Sequence, residues 1–167
     1  MNLRNAAAAD IDRLARIWYD GWQDGHAAIL PAELARLRTL ASFRDRLVAA
    51  MGATRVAEVD GEPVGFCIVK ADELYQLFVS AVARGSGVAA ALVADAERRL
   101  ARAGVSTAWL ACAIGNDRAA RFYEKCGWRR IGTEVIPVET EQGPYALEVW
   151  RYEKPLGDAA DGNGSLT

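Results

Sequence analysis

The sequence predicts a single α/β (α+β) domain, a mixed sheet with helices on both faces, in the order β-αα-βββ-α-β-α-ββ. Three observations lead there. The first half carries hairpin patterning, the second half carries strand-helix-strand units, and no internal repeat or linker divides the 167 residues. A chain of that length with 51% apolar residues can bury a substantial core without staples.

"NLR" near residue 3 is a short strand. "DIDRLARIWYDGW" follows with helical periodicity, Ile11, Leu14, Trp18 and Trp22 recurring at three- and four-residue steps and Asp10 standing at the N-cap. "GHAAILP" is a loop, and Pro31 opens a second helix running to about Ala50 with Leu34, Leu37 and Leu40 on its apolar stripe. "TRVAEVDGEPVGFCIVK" reads as strand, turn at Asp60-Gly61, strand. "DELYQLFVSAV" is the next strand. The helix after it shows Val88, Leu92, Ala96 and Leu100 on one face and ends near Gly104. "STAWLACAI" is a strand, Asn116 caps a short helix through Cys126, and Gly127 closes it. "WRRIGTEVI" and "YALEVWRYEK" alternate as the last two strands. The domain is expected over residues 1–154, with 155–167, Gly- and Asp-rich, as a disordered tail.

Composition removes several function classes. The net charge of −2 supplies no field for nucleic acid, so none is expected as a partner. Cys67, Cys112 and Cys126 are an odd number without a CxxC pair, which suits reduced core thiols in a cytoplasmic protein. "MNLRNAAAAD" has no apolar leader core and no stretch approaches a membrane span, so no membrane association is expected. With one histidine, His26, and no ligand-spaced cluster, no metal is expected. Serine-nucleophile signatures are missing as well.

"VARGSGVAAAL" (82–92) joins a strand to a helix through two glycines and an arginine. Unpaired N–H groups at a helix start attract anions, Gly85 and Gly87 allow close approach, and Arg84 adds a permanent charge. A P-loop needs Lys-Ser/Thr where Val88-Ala89 stand. A Rossmann dinucleotide site accepts Gly85, Gly87 and Ala90, but "VSTAWLACAI" carries no ribose-binding acid. The pyrophosphate of coenzyme A is the third occupant.

Arg84, Gly87 and Ala89 fall in register with Gln/Arg-x-x-Gly-x-Gly/Ala, and "NDRAARFYEKCGW" (116–128) follows Asn-x-x-Ala…Tyr-x-x-x-Gly-Phe, with Trp128 replacing the last aromatic. On both motifs the chain resembles the GNAT N-acetyltransferase superfamily over roughly residues 1–152. The resemblance implies a mostly antiparallel sheet of about seven strands and acetyl-CoA as co-substrate. It also implies direct acetyl transfer to the primary amine of a small molecule or peptide. A GNAT-fold acyl-CoA-binding regulator without turnover and a Rossmann-type NAD(P) enzyme are the alternatives. The resemblance leaves room for a homodimer, because such folds often pair sheet edges.

By the same resemblance Tyr123 is the general acid toward the CoA sulfur, and Glu73, eleven positions before Arg84, stands in the register where some members carry their general base, a water chain or another residue being the alternative. Glu73 is expected to share a strand face with Tyr75 and Leu77. The implied cofactor contacts are Arg84, Gly85, Ser86, Gly87, Val88, Ala89, Asn116 and Tyr123, with Phe78 or Val79 supplying a backbone N–H to the thioester oxygen. Acceptor recognition is expected from Tyr19, Asp24 and His26. Trp18 and Trp22, Cys112 and Cys126 read as packing residues, and Arg118, Arg121 and Lys125 as a solvated helix face.

Overall fold

The structure, a computed structural model, describes residues 1–157. Strands β1 (Asn2–Asn5), β2 (Thr54–Val59), β3 (Glu62–Lys70), β4 (Glu73–Val79), β5 (Thr107–Ala113), β6 (Arg129–Val138) and β7 (Tyr145–Pro155) form one sheet ordered β1-β2-β3-β4-β5-β7-β6. Every neighbouring pair is antiparallel except β4–β5. A doubly wound dinucleotide fold needs a largely parallel sheet, so the Rossmann alternative fails here. The hairpin between β2 and β3 turns on Asp60 and Gly61, both at positive φ (53° and 80°), as a two-residue turn matching strand twist requires.

The helices are α1 (Ile11–Gly25), α2 (Ala32–Leu37), α3 (Leu40–Ala49), α4 (Val88–Arg102) and α5 (Asp117–Lys125). They divide by sheet face because side chains alternate along each strand. Ala57 and Cys67 point to the α4–α5 side and join Leu92, Leu100, Leu110, Trp128 and Tyr152 in one buried cluster. Val56, Phe66 and Ile68 point to the α1–α3 side with Leu14, Trp18, Phe43 and Leu47. Trp18 centres that second cluster, 4.9 Å from the Phe43 ring and 5.5 Å from Phe66. Trp18, Trp22 and Cys112 are thus buried, as packing residues are.

Four local expectations are corrected. The helix expected from Pro31 to Ala50 breaks at Arg38 (φ −90°, ψ 68°), and Thr39 restarts it by accepting the Ser42 N–H at 3.1 Å. The break turns Arg38 inward, where its Nη1 donates to the Glu139 carbonyl at 2.6 Å. Asp10 does not cap α1. It closes a 3-10 turn (Ala8–Asp10), its carboxylate reaching back to the Ala7 N–H at 2.7 Å and taking Arg4 at 2.8 and 2.9 Å. Strand β4 stops at Val79, since Ala81–Ala83 is a 3-10 turn. Pro155 still belongs to β7 and the Leu156 N–H donates to Ser106 at 2.8 Å, so the expected tail does not begin at 155. The rest of that expectation, 158–167, lies outside the described residues.

Gly21 lies on the buried side of α1, where an added Cβ would sit 2.5 Å from the Phe78 ring. Alanine gains up to ~1 kcal/mol in helix propensity, but forcing the ring aside costs about 1–3 kcal/mol. Gly21→Ala is therefore expected to lower the urea midpoint at unchanged slope, with a net loss of about 1–2 kcal/mol. A higher midpoint would mean that Phe78 moves without cost.

Candidate functional site

Parallel strands β4 and β5 pair at one register position, Glu73 opposite Trp109. The junction is pinned by Asp72, whose carbonyl accepts the Trp109 N–H at 3.2 Å and whose carboxylate accepts its indole N–H at 3.0 Å. Beyond it no further β4–β5 pairing occurs among the described residues. A cavity of about 430 Å³ lies on the α4–α5 side of the gap and one of about 640 Å³ on the α1–α3 side. Both are lined by His26, Tyr75, Gln76, Phe78, Ala111 and Ala113, so the gap is a window through the sheet.

The smaller cavity is bounded by Arg84, Gly85, Gly87 and Ala89, by Asn116, and by Tyr123. Gly85 (φ 79°) and Gly87 (φ 87°) both adopt the left-handed conformation, and a Cβ on either would meet nothing within 4 Å. The N–H groups from Gly85 through Ala90 have no backbone partner among the described residues, and Ala91 is the first to bond back, to the Gly87 carbonyl at 3.1 Å. That makes an anion cradle at the positive end of a fifteen-residue helix. Two of the expected contacts are narrower than side-chain contacts. Val88 turns its side chain into the core, and the Ser86 hydroxyl donates to the Ala83 carbonyl, so neither side chain lines the cavity and only their backbone N–H groups remain for an anion. Asn116 Oδ1 accepts the Ala119 N–H at 3.3 Å, capping α5 while its amide group borders the cavity.

Tyr123 packs edge-on to Phe122 at 5.4 Å and lies 6.3 Å from the Tyr152 ring. Burial, with the neighbouring Cys112, Cys67 and Cys126 thiols adding to it, pushes the phenol far above its ordinary value, so it is a neutral O–H donor. The same burial raises the Cys112 thiol to about 11, which keeps it protonated and unreactive.

Glu73 lines the larger cavity, at the root of the window. Burial raises its carboxyl to about 7; Lys70 pulls it down and Asp72 pushes it up by smaller amounts. Its expected partnership with Leu77 on one strand face is corrected by a bulge. Ile68 pairs with Gln76 and Val69 with Leu74, leaving Tyr75 unpaired and shifting the alternation. Leu74, Leu77 and Val79 consequently pack on the α4–α5 side, Tyr75 and Phe78 on the α1–α3 side.

The register also separates Phe78 from Val79. Ser80 donates to the Val64 carbonyl at 2.8 Å, which makes every second pair inward from it a hydrogen-bonded one. Phe78 and Gln76 therefore spend their N–H groups on β3. Those of Leu77 and Val79 point to the opposite edge, into the window.

Of the three expected acceptor residues only His26 reaches a cavity wall. Burial and then the nearby Arg38 charge lower it to about 4, so the ring is neutral. Asp24 pairs instead with Arg84 at 3.3 Å, across the mouth of the cradle. Tyr19 packs on Phe43 at 6.4 Å, outside both cavities. Sequence reasoning missed Gln76, Arg38 and Arg46 as wall residues and set Arg118 on a solvated face, whereas Arg118 borders the smaller cavity. Only Arg118 carried a signal, being two positions past Asn116 on the same helix. Among the described residues no cluster of His, Cys, Asp and Glu could hold a metal ion, and no helix is long and apolar enough to cross a membrane.

The profile of the acetyltransferase (GNAT) family matches residues 12–128. An uncharacterised N-acetyltransferase of Mycobacterium bovis is 34% identical over 115 residues, 66% of this chain and 71% of the relative. A GCN5-related N-acetyltransferase structure from Rhodopseudomonas palustris superposes with a TM-score of 0.74 at 22% identity, covering 93% of this chain and 95% of that one. The PaiA N-acetyltransferase from Thermoplasma acidophilum, solved in complex with coenzyme A, superposes with a TM-score of 0.65 at 17% identity over 92% and 98% of the two chains.

Proposed function

The chain belongs to the acetyltransferase (GNAT) family, and from that premise we propose that it moves the acetyl group of acetyl-CoA directly onto a primary amine of a small molecule or peptide. The observation that carries the reading is the window itself: an anion cradle opens on one side of the parted strands and a carboxyl poised near neutrality on the other.

The donor fits the cradle side. Diphosphate oxygens would accept from the Gly85–Ala90 N–H groups, with Arg84 adding charge and the glycines leaving room for close approach. A thin acyl-bearing arm would run along the free edge of β4 past Asn116 to the window. There the N–H groups of Leu77 and Val79 aim where negative charge develops on the thioester oxygen. The amine arrives from the larger cavity. Glu73, directly or through one water, removes its proton as nitrogen attacks the carbonyl carbon. The C–S bond breaks, and Tyr123 O–H gives its proton to the departing sulfur, to be reprotonated from solvent as product leaves. His26, neutral and on both walls, orients without adding charge.

Saturating acetyl-CoA is expected to raise the melting temperature, since about 2.7 kcal/mol of stabilisation follows at a hundredfold excess over Kd. Free thiol is expected to appear when a suitable amine is added. No thermal shift with acetyl-CoA would sink the proposal; a shift without thiol release across a broad amine panel would favour a binding protein that lacks turnover.

A further inference from the structure

The larger cavity has a charge balance that acetyl transfer to an arbitrary amine does not explain. Its carboxylates other than Glu73 are already matched, Glu139 to Lys70 at 2.9 Å and Glu134 to Arg151 at 3.0 Å. Arg38 and Arg46 also line it, and among the described residues neither meets a carboxylate. Arg38 is 5% exposed, with Nε unpartnered and Nη1 spent on the neutral Glu139 carbonyl. Arg46 donates to the Tyr75 hydroxyl at 2.9 Å and otherwise meets aromatic faces, Trp18 at 4.4 Å and Phe43 and Tyr75 at 5.9 Å, and its Nε too is buried without a partner. The Trp18 indole N–H, on the same wall, is a further unused donor.

A buried guanidinium without an anion is costly, and two close together more so. Both line the same cavity, and burial first and then the Arg46 charge lower Arg38 to about 10, with Tyr75 and Glu139 opposing by less; Glu139, already bound to Lys70, offsets the pair only in part. Asp95, another buried charge on that scale, is paired with Arg55 and Arg99. Cations elsewhere that meet no carboxylate among the described residues, such as Arg13, Arg36 and Arg102, are exposed to water, whereas Arg38 is buried in the wall where the second substrate would enter.

We infer that the acceptor is a small amine that also carries an anionic group, a carboxylate or phosphonate, which Arg38 and Arg46 hold while the amine reaches the window at Glu73. This rests on the acetyl-transfer reading above and adds the chemical class of the acceptor. Both guanidiniums offer planar N–H pairs suited to a forked anion, and the hydroxyl of the bulge residue Tyr75 accepts from Arg46 at 2.9 Å and holds it in place. The lining of the cavity then matches the ligand: cationic donors for its anion, and an acidic group for its ammonium.

The test compares matched acceptors in thiol release: glycine, β-alanine and γ-aminobutyrate against their primary amides, with 2-aminoethylphosphonate as the second anion. The best acid is expected to exceed its own amide by roughly 10- to 100-fold in kcat/KM, the range of charge-assisted hydrogen bonds in a dry site. Carboxylate and phosphonate members of equal chain length identify which anion the pair prefers. Arg38→Met is expected to collapse the acid-to-amide ratio toward one through KM, and Arg38→Lys, which keeps the charge, to restore part of it. Amides used as well as acids would overturn the inference and leave acetyl transfer standing. An unchanged ratio in a folded Arg38→Met protein would overturn it too. No thermal shift with acetyl-CoA and no turnover of any amine would overturn both readings.

Discussion

Removing the Tyr123 hydroxyl by Tyr123→Phe is expected to lower kcat by about 100-fold or more while coenzyme A affinity stays within about threefold, because general acid contributions run from about 10² to 10⁴. Only one oxygen is lost, and the ring keeps its contacts with Phe122 and Tyr152. A phenol whose pKa is driven up is a weak acid in water, which at first argues against the role. The decisive comparison is with the group it serves. The environment that raises Tyr123 also raises the neighbouring Cys112 thiol to about 11, so a thiolate leaving into the same pocket is starved of solvation and becomes a stronger base. Proton transfer then stays feasible although neither partner titrates near pH 7. Steady-state thiol release paired with calorimetric titration of coenzyme A checks this. Unchanged turnover would make Tyr123 a packing residue.

Glu73→Gln is the second large effect, and its signature lies in the pH profile. The base works ionised, so wild-type kcat/KM is expected to rise with pH through an apparent value near the site's pKa of about 7. The variant is expected to lose about 10²-fold or more at pH 8 and to lose that acidic limb. Stability should move the other way. Because folding raises this carboxyl above its ordinary value of 4.5, the native state holds the proton over the window from 4.5 to about 7. The contribution of the neutral form is complete below that window and is lost as pH rises through the folded value. Above pH 7 the Gln variant should therefore melt higher than wild type, while below pH 4.5 the difference should shrink. An acidic limb that persists in Glu73→Gln would assign the base to another group or to water alone.

The donor side of the site was legible because its parts are contiguous. Arg84 through Ala89 is one turn and one helix start, and the left-handed conformations of Gly85 and Gly87 are ones that glycine adopts without strain. Asn116 was legible for the same reason, since an N-cap is a local device. The acceptor side was not. Neither Arg38 nor Arg46 stands out on the one long helix expected from Pro31 to Ala50, and that expectation misses the break at Arg38–Thr39 that turns the first of them inward. The bulge at Tyr75 has no residue signature, so a strict two-residue alternation set Glu73 on the wrong face relative to Leu77. Asp24 looked free to attract an ammonium because Arg84, sixty residues on, is adjacent only in space. Local chemistry is readable from a sequence; charge compensation between distant segments waits for the fold.

The parting of β4 from β5 also bears on colloidal behaviour. Strand edges normally lie at the rim of a sheet, where chains guard them with charges, prolines or short length. Here two additional edges lie in the middle of the sheet, and the residues along the β4 side, Leu77, Phe78 and Val79, are all apolar. What shields them from a neighbouring molecule is the cover of α4 and α5 on one side and of α1 and the β6–β7 pair on the other. Partial opening of that cover presents a ready template for a foreign strand before the rest of the molecule unfolds. The protein's tendency to self-associate on heating should accordingly be governed by the gap between β4 and β5 rather than by its outer surface.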